Sequence, residues 1–391
     1  MLNLGWVDFS KSDCDMVLSV LRQLTEPGAV DEIGIGAIRD GFSDILFPGT
    51  STLQTRAKYL FIVPYICMEL ERNGRLAPRE FINALEQNEL DLINVLAVNG
   101  AEGVIGQRSR QTLKRKPSGI YWSALRTFGF LSESVSLSEY AALTYVRRTA
   151  ADHQKSSGKR RSRYEDDVTD DTDAGMGGTP IWRVPVSGGK WRDNLTIDLT
   201  SEEAKYLREK ITTMPGTRDS LLSMVLRENR LDFVEYENFD DIDDMMNVMP
   251  TGLRRDYQLA RAFSKFIYGA QVRYNILFSK GLNEEAVEEW NRYVFEKHEI
   301  NLSEIQARLK PRASVMSFLK RFQASIGNTD ELDNLLICRE KELKGSARAK
   351  LTNSKLYTYN DNNVNMVPLS YRLYNAQQII RDIFEGVKSD A

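Results

Sequence analysis

The chain predicts a mainly α-helical protein: two helical modules joined by a flexible charged loop, with few short strands. Three observations carry this. Apolar residues recur at helical spacing through most of the 391 residues. Before the middle of the chain, strand-like runs are confined to Leu4–Phe9 and Ile181–Val186. Between Gln154 and Thr179 the composition breaks, with Lys155, Lys159, Arg160, Arg161 and Arg163 followed by Glu165, Asp166, Asp167, Asp170, Asp171 and Asp173 and then a glycine-rich tail. Such a segment has no apolar content to build a core from. It divides the chain into an N-terminal module, 1–153, a loop, 154–179, and a C-terminal module, 180–391.

In chain order, Ser12–Thr25 places Met16, Val17, Val20, Leu21 and Leu24 on one face and stops at Pro27-Gly28. Ile35–Phe47 reads as a second helix. Thr52–Asn73 reads as a third, with Thr50, Ser51 and Thr52 as N-cap hydroxyls and a kink at Pro64. Pro78–Asn99 presents Phe81, Leu85, Leu92, Val95 and Leu96 on its apolar face. Ser118–Phe130 and Ser136–His153 complete the first module. The second begins with Ser201–Thr212 and Asp219–Glu228, then an acidic turn, Asn238–Asp244. Thr251–Lys280 is a long helix whose core face is Leu253, Tyr257, Ala260, Phe263, Ile267, Ala270, Tyr274 and Leu277. Asn283–Lys297, Leu302–Leu309, Pro311–Ser325, Thr329–Leu343 and, after a polar loop at Lys355–Asn365, Ser370–Val387 follow.

Composition narrows the function classes. A formal net charge of -3 excludes a wholly basic nucleic-acid binder but leaves room for local basic faces. The 3 cysteines, Cys14, Cys67 and Cys338, lie far apart, which fits a reducing compartment. The first ten residues lack the basic start and apolar core of a signal peptide, and Tyr59–Met68 is about half the ~20 residues a membrane span needs. A cytoplasmic protein away from membranes is expected.

Catalytic signatures are sparse. The 2 histidines, His153 and His298, are distant and no Cys-x-x-Cys pair exists, so no zinc site and no cofactor motif is read. His153-Gln154-Lys155 begins a phospholipase-D-like pattern, but Arg160 stands where its aspartate belongs. Pro48-Gly49-Thr50-Ser51-Thr52 lacks the second glycine and the Lys-Ser/Thr of a phosphate-binding loop.

Anion-binding candidates are stronger. A helix N-terminus at Thr50 and Ser51, with Arg56 and Lys58 one turn on, is suited to holding an anion. Between Val104 and Leu131 there is no acidic residue, while Arg108, Arg110, Lys114, Arg115 and Lys116 are candidates for nucleic-acid phosphates. Tyr121, Trp122, Phe128 and Phe130 lie among them as stacking groups or as the core face of a short helix. Arg254, Arg261, Lys265 and Arg273 form a second basic element. Lys344, Arg348 and Lys350 form a third, holding an anion or capping the preceding helix.

The blocks GWVDFS at Gly5–Ser10, EPGAVDEIGIGAIRDGFSDILFPGTSTLQTRAKYLFIVPYI at Glu26–Ile66 and IYWSALRTFGFL at Ile120–Leu131 resemble an uncharacterised bacterial domain family. ARAKLTN at Ala347–Asn353 and LSYRL at Leu369–Leu373 extend the resemblance over nearly the whole chain. It brings no catalytic residues with it. What it implies is context: defence-type gene clusters shared with helicase-like and phospholipase-D-like proteins. The expected function is therefore a non-enzymatic nucleic-acid-associated or scaffold subunit of a bacterial anti-phage assembly, in contact with a DNA or RNA backbone and such proteins. The alternatives are a metal-dependent nuclease with a non-standard carboxylate site (Asp8, Asp40 and Asp44), and a pure protein-interaction module. The sequence leaves the oligomeric state open.

Overall fold

The structure is a computed structural model. It describes residues 32–73, 76–97, 101–158, 180–185, 191–193, 195–296, 300–353, 356–357, 359 and 366–388, with backbone alone at 73 and 151–158. The chain is mainly helical. Among the described residues the helices are α1 (Gly36–Leu46), α2 (Tyr59–Asn73), α3 (Pro78–Leu96), α4 (Pro117–Thr127), α5 (Leu137–Gly158), α6 (Ser201–Thr213) and α7 (Leu221–Arg227). They continue with α8 (Thr251–Ser279), α9 (Glu284–Glu296), α10 (Leu302–Leu309), α11 (Ala313–Ser325), α12 (Thr329–Lys344) and α13 (Leu373–Lys388). The described part of the segment expected as a strand at Ile181–Val186 forms no strand; Trp182 makes an isolated antiparallel bridge to Leu131. The strand at Leu4–Phe9, the helix at Ser12–Thr25 and residues 159–179 lie outside the described residues. None of the described helices is long and apolar enough to cross a membrane.

Two compact units form, each from separated stretches of chain. One is Met1–Phe42 with Arg254–Tyr371, the other Ser43–Leu253 with Arg372–Ala391.

In the first unit the α8 stripe is buried from Tyr257 to Tyr274, with Phe263, Phe266 and Ile267 fully enclosed. Phe266 meets Phe322 of α11 edge-on at 5.2 Å, and Phe42 meets Tyr371 likewise at 5.8 Å. Gly269 leaves room for the Tyr293 ring of α9, whose hydroxyl donates to the Phe266 carbonyl at 2.7 Å. The ARAKLTN segment is fastened by Glu340, 1% exposed, which accepts from Lys350 N and Leu351 N at 3.0 Å each. Tyr274 donates to the same carboxylate at 2.6 Å, and Lys350 Nζ donates to Glu32 at 2.8 Å.

In the second unit α13 packs on α6, α2 on α3 and α4, and α3 on α5. α6 opens with a reciprocal cap: Thr200 Oγ1 accepts from Glu203 N at 3.3 Å, and the Glu203 carboxylate accepts from Thr200 N at 2.9 Å. α2 continues through Pro64. The final helix begins at Leu373, later than Ser370, because Tyr371 and Arg372 hold left-handed φ values of 53° and 68°.

Candidate anion-binding surface

The segment between α1 and α2 departs most from the sequence reading. The helix begins at Tyr59, not Thr52, so Thr50, Ser51 and Thr52 do not cap it. Thr50 is buried and its hydroxyl donates to the Phe47 carbonyl at 2.7 Å. Ser51 N donates to Gln54 Oε1 at 3.1 Å, and Gln54 Nε2 returns to the Gly49 carbonyl at 3.0 Å. The turn is thus closed on itself.

Its exit is held by Tyr121 of α4. Thr55 N and Arg56 N both donate to the Tyr121 hydroxyl, at 2.9 and 3.1 Å, and that hydroxyl donates to Arg56 O at 2.8 Å. These backbone groups are therefore committed to a side chain from 65 residues away or more.

The cations of this segment face inward. Arg56 Nε donates to Asp382 at 2.9 Å, and its Nη2 donates to Asp198 at 2.6 Å. Burial works against the guanidinium, but the two carboxylates outweigh it and hold Arg56 above its ordinary value. Lys58 Nζ donates to Glu203 at 2.6 Å, with both side chains 6% exposed. The anion site expected at Thr50, Ser51, Arg56 and Lys58 is accordingly corrected. Internal carboxylates on α6, α13 and the segment before α6 already neutralise its charges.

The second predicted set is arranged differently. Arg108, Arg110, Lys114 and Arg115 are exposed, and Lys116 is half-buried. Arg108 and Arg115 make no ion pair among the described residues. Arg110 donates to Asn94, and Lys116 donates to the Leu113 carbonyl. The backbone beneath them is fixed. Ile105 N donates to the Tyr59 hydroxyl at 2.9 Å, Thr55 Oγ1 donates to Gly103 O at 2.5 Å, and Arg110 N donates to Gly106 O at 2.7 Å. Gly106 has φ 84°, and a Cβ there would come within 2.7 Å of Ile93. The two predicted sets thus adjoin at Thr55 and Gly103, but only the second exposes its cations.

The aromatic residues nearby are core. Tyr121, Phe128 and Phe130 are fully buried and Trp122 is 7% exposed, so none offers a face for base stacking. In the other basic elements Arg273, Lys344 and Lys350 are paired with carboxylates. Arg273 makes a bidentate pair with Asp333 at 2.5 and 2.6 Å, and Lys344 pairs with Glu32 and Glu340. Asp40 accepts from Arg39 at 3.2 Å, and Asp44 accepts from Arg372 at 2.8 Å. Asp8, His298 and the His153 side chain lie outside the described residues. Among the described residues no group of three or more potential metal ligands occurs.

One residue beside the loop was not singled out from sequence. Glu89 of α3 is 3% exposed; its carboxylate accepts from Ser118 N at 2.5 Å and from Ser118 Oγ at 2.9 Å. Ser118 is the second residue of α4, so this internal carboxylate fills the position where a helix N-terminus favours an anion. Burial pushes the Glu89 carboxyl up to about 8, against the opposing pull of the Ser118 donors and of Lys116. A signal was present: Glu89 continues the Phe81–Leu85 four-residue spacing on an otherwise apolar face.

No curated protein and no solved structure matches the chain. The profile of the Family of unknown function (DUF6361) matches residues 1–289, which is more than half of the molecule, and it includes both the closed turn and the basic loop. The chain belongs to the DUF6361 family.

Proposed function

We propose that the protein is a non-enzymatic subunit that grips the phosphate backbone of nucleic acid through Arg108, Arg110, Lys114, Arg115 and Lys116. The supporting observation is the contrast between the basic clusters. Arg56, Lys58, Arg273, Lys344 and Lys350 are neutralised internally, whereas four of the five loop cations are exposed on a pinned backbone with no acid between Val104 and Leu131. With the aromatics buried, the grip is electrostatic and indifferent to sequence. In an anti-phage assembly of the kind the family resemblance implies, helicase-like and phospholipase-D-like partners would supply the chemistry. The nuclease alternative gains nothing from Asp40 and Asp44, whose charges are offset by arginines.

The test is fluorescence anisotropy of a labelled DNA or RNA oligonucleotide across a salt series. Binding should weaken steeply with salt, with a log–log slope of about −0.7 to −0.9 for each phosphate contacted. Absence of binding at low salt, or binding unchanged in an Arg108→Ala/Arg115→Ala variant, sinks the proposal.

The protein-interaction alternative has one observation in its favour. Phe295 and Leu282, in and just before α9, are 85% and 81% exposed. Concentration-dependent self-association without nucleic-acid retention would select it.

A further inference from the structure

Glu89 and Lys116 both act on the start of α4, the carboxylate by capping Ser118 and the lysine as the residue before the first turn. Glu89 holds the second residue of the helix through both carboxylate oxygens, while Lys116 is the N-cap residue and closes the basic loop. The Lys116 charge favours the ionised form of Glu89. A phosphate drawn to Lys116 uses the same charge and the same helix N-terminal field. We propose that phosphate binding on the Arg108–Lys116 loop is coupled to proton uptake by Glu89, because ligand and carboxylate compete for one positive potential. This rests on the loop being the nucleic-acid surface.

The proton balance is simple. With Glu89 ionised, the free protein plus phosphate plus one proton gives a complex in which the carboxyl is neutral. The cap survives: Ser118 N still donates to one carboxyl oxygen, and the protonated oxygen donates to Ser118 Oγ. The other groups facing Glu89 are Glu86 on α3, Lys116 at the loop end, and Tyr59 and Cys67 on α2. Burial raises Tyr59 to about 12 and Cys67 well above its ordinary value, so neither ionises between pH 6.5 and 9. Glu89, raised to about 8, is the group beside the loop that changes charge in that range.

The experiment measures the affinity of the full chain for a fluorescein-labelled 20-nucleotide DNA at constant ionic strength from pH 6.5 to 9. Affinity should fall as pH rises, by up to about tenfold per pH unit for one whole proton. Glu89→Gln, neutral throughout, should bind with the low-pH affinity at every pH and keep the wild-type salt slope. A flat wild-type profile, or the same pH slope in Glu89→Gln, overturns the coupling while leaving the phosphate surface intact. No salt-sensitive binding at any pH overturns the surface and the coupling together. Should Glu89→Gln fail to fold, calorimetry of the wild type at pH 8 in two buffers of different ionisation enthalpy decides the matter. Identical binding heats mean no proton is taken up and reject the inference; a difference equal to a fractional proton supports it.

Discussion

Lys58 and Glu203 form an enclosed ion pair, Nζ to Oε2 2.6 Å, across 145 residues of sequence. Glu203 also closes the reciprocal cap of α6, so one carboxylate serves a helix start and a buried ammonium together. Removing the lysine strands that carboxylate. Lys58→Met is expected to destabilise the protein by about 3–5 kcal/mol in urea unfolding, the usual cost of an uncompensated buried charge. Lys58→Met with Glu203→Gln should recover part of the loss, since the remaining amide carries no charge. Equal stability of wild type and Lys58→Met would show that the pair is not enclosed in solution.

The loop cations should behave oppositely. Arg108→Ala/Arg115→Ala removes two exposed charges and should leave stability within about 0.5 kcal/mol of wild type. The same variant should reduce the magnitude of the salt slope of DNA binding by about 1.4–1.8, one phosphate contact per arginine. Unfolding curves and anisotropy titrations on one preparation separate the two effects.

Gly49 sits at φ 78°, and a Cβ there would come within 2.6 Å of the buried Phe128 ring. Gly49→Ala is therefore expected to cost roughly 2–4 kcal/mol, combining left-handed backbone strain with overpacking. Gly216, where a Cβ meets nothing within 4 Å and φ lies outside the left-handed region, is the control. Gly216→Ala should change the melting temperature little, and a comparable drop in both variants would count against the packing described at the closed turn.

Stability should depend on pH through Glu89. Its folded-state value, about 8, lies above the ordinary 4.5. From pH 4.5 to 8 the native state keeps a proton that the unfolded chain has released, so stability falls as pH rises through this window. Glu71 and Asp382, both raised chiefly by burial, contribute with the same sign. The urea midpoint measured from pH 5 to 8.5 should decline, and more shallowly in Glu89→Gln. An increasing midpoint contradicts the burial of this carboxylate.

The helices were legible because their apolar faces repeat at a period that the backbone imposes locally. α10 spans the predicted residues, Leu302–Leu309, and α8 ends one residue before its predicted limit. The start of α2 was not legible. Thr50 to Thr52 satisfy every local rule for an N-cap, but the Tyr121 hydroxyl takes the backbone groups of Thr55 and Arg56 from another helix. The partners of Arg56 and Lys58 were hidden for the same reason, since nothing in TRAK points to Asp198, Glu203 or Asp382. Exposure of Arg108 to Arg115 was better signalled, because a run without apolar periodicity or acidic neighbours has little to bury. Glu89 and Asp382 share a sign that sequence can show, a carboxylate inside the hydrophobic register of an amphipathic helix.

The 326 residues separating Arg56 from Asp382 also set a clock on biosynthesis. At translation speeds of about 5–20 residues per second, the arginine waits on the order of 15–65 s for Asp382 to be made. Throughout that interval the nascent second unit lacks α13, and Arg56 has only the exposed Asp198 to answer its charge. A ribosome stalled or a message cut before that helix leaves a chain that holds Arg56 without the buried carboxylate of Asp382. Loss of α13 should thus be felt as a quality-control failure, with the truncated product cleared by proteases instead of accumulating as a shorter functional form.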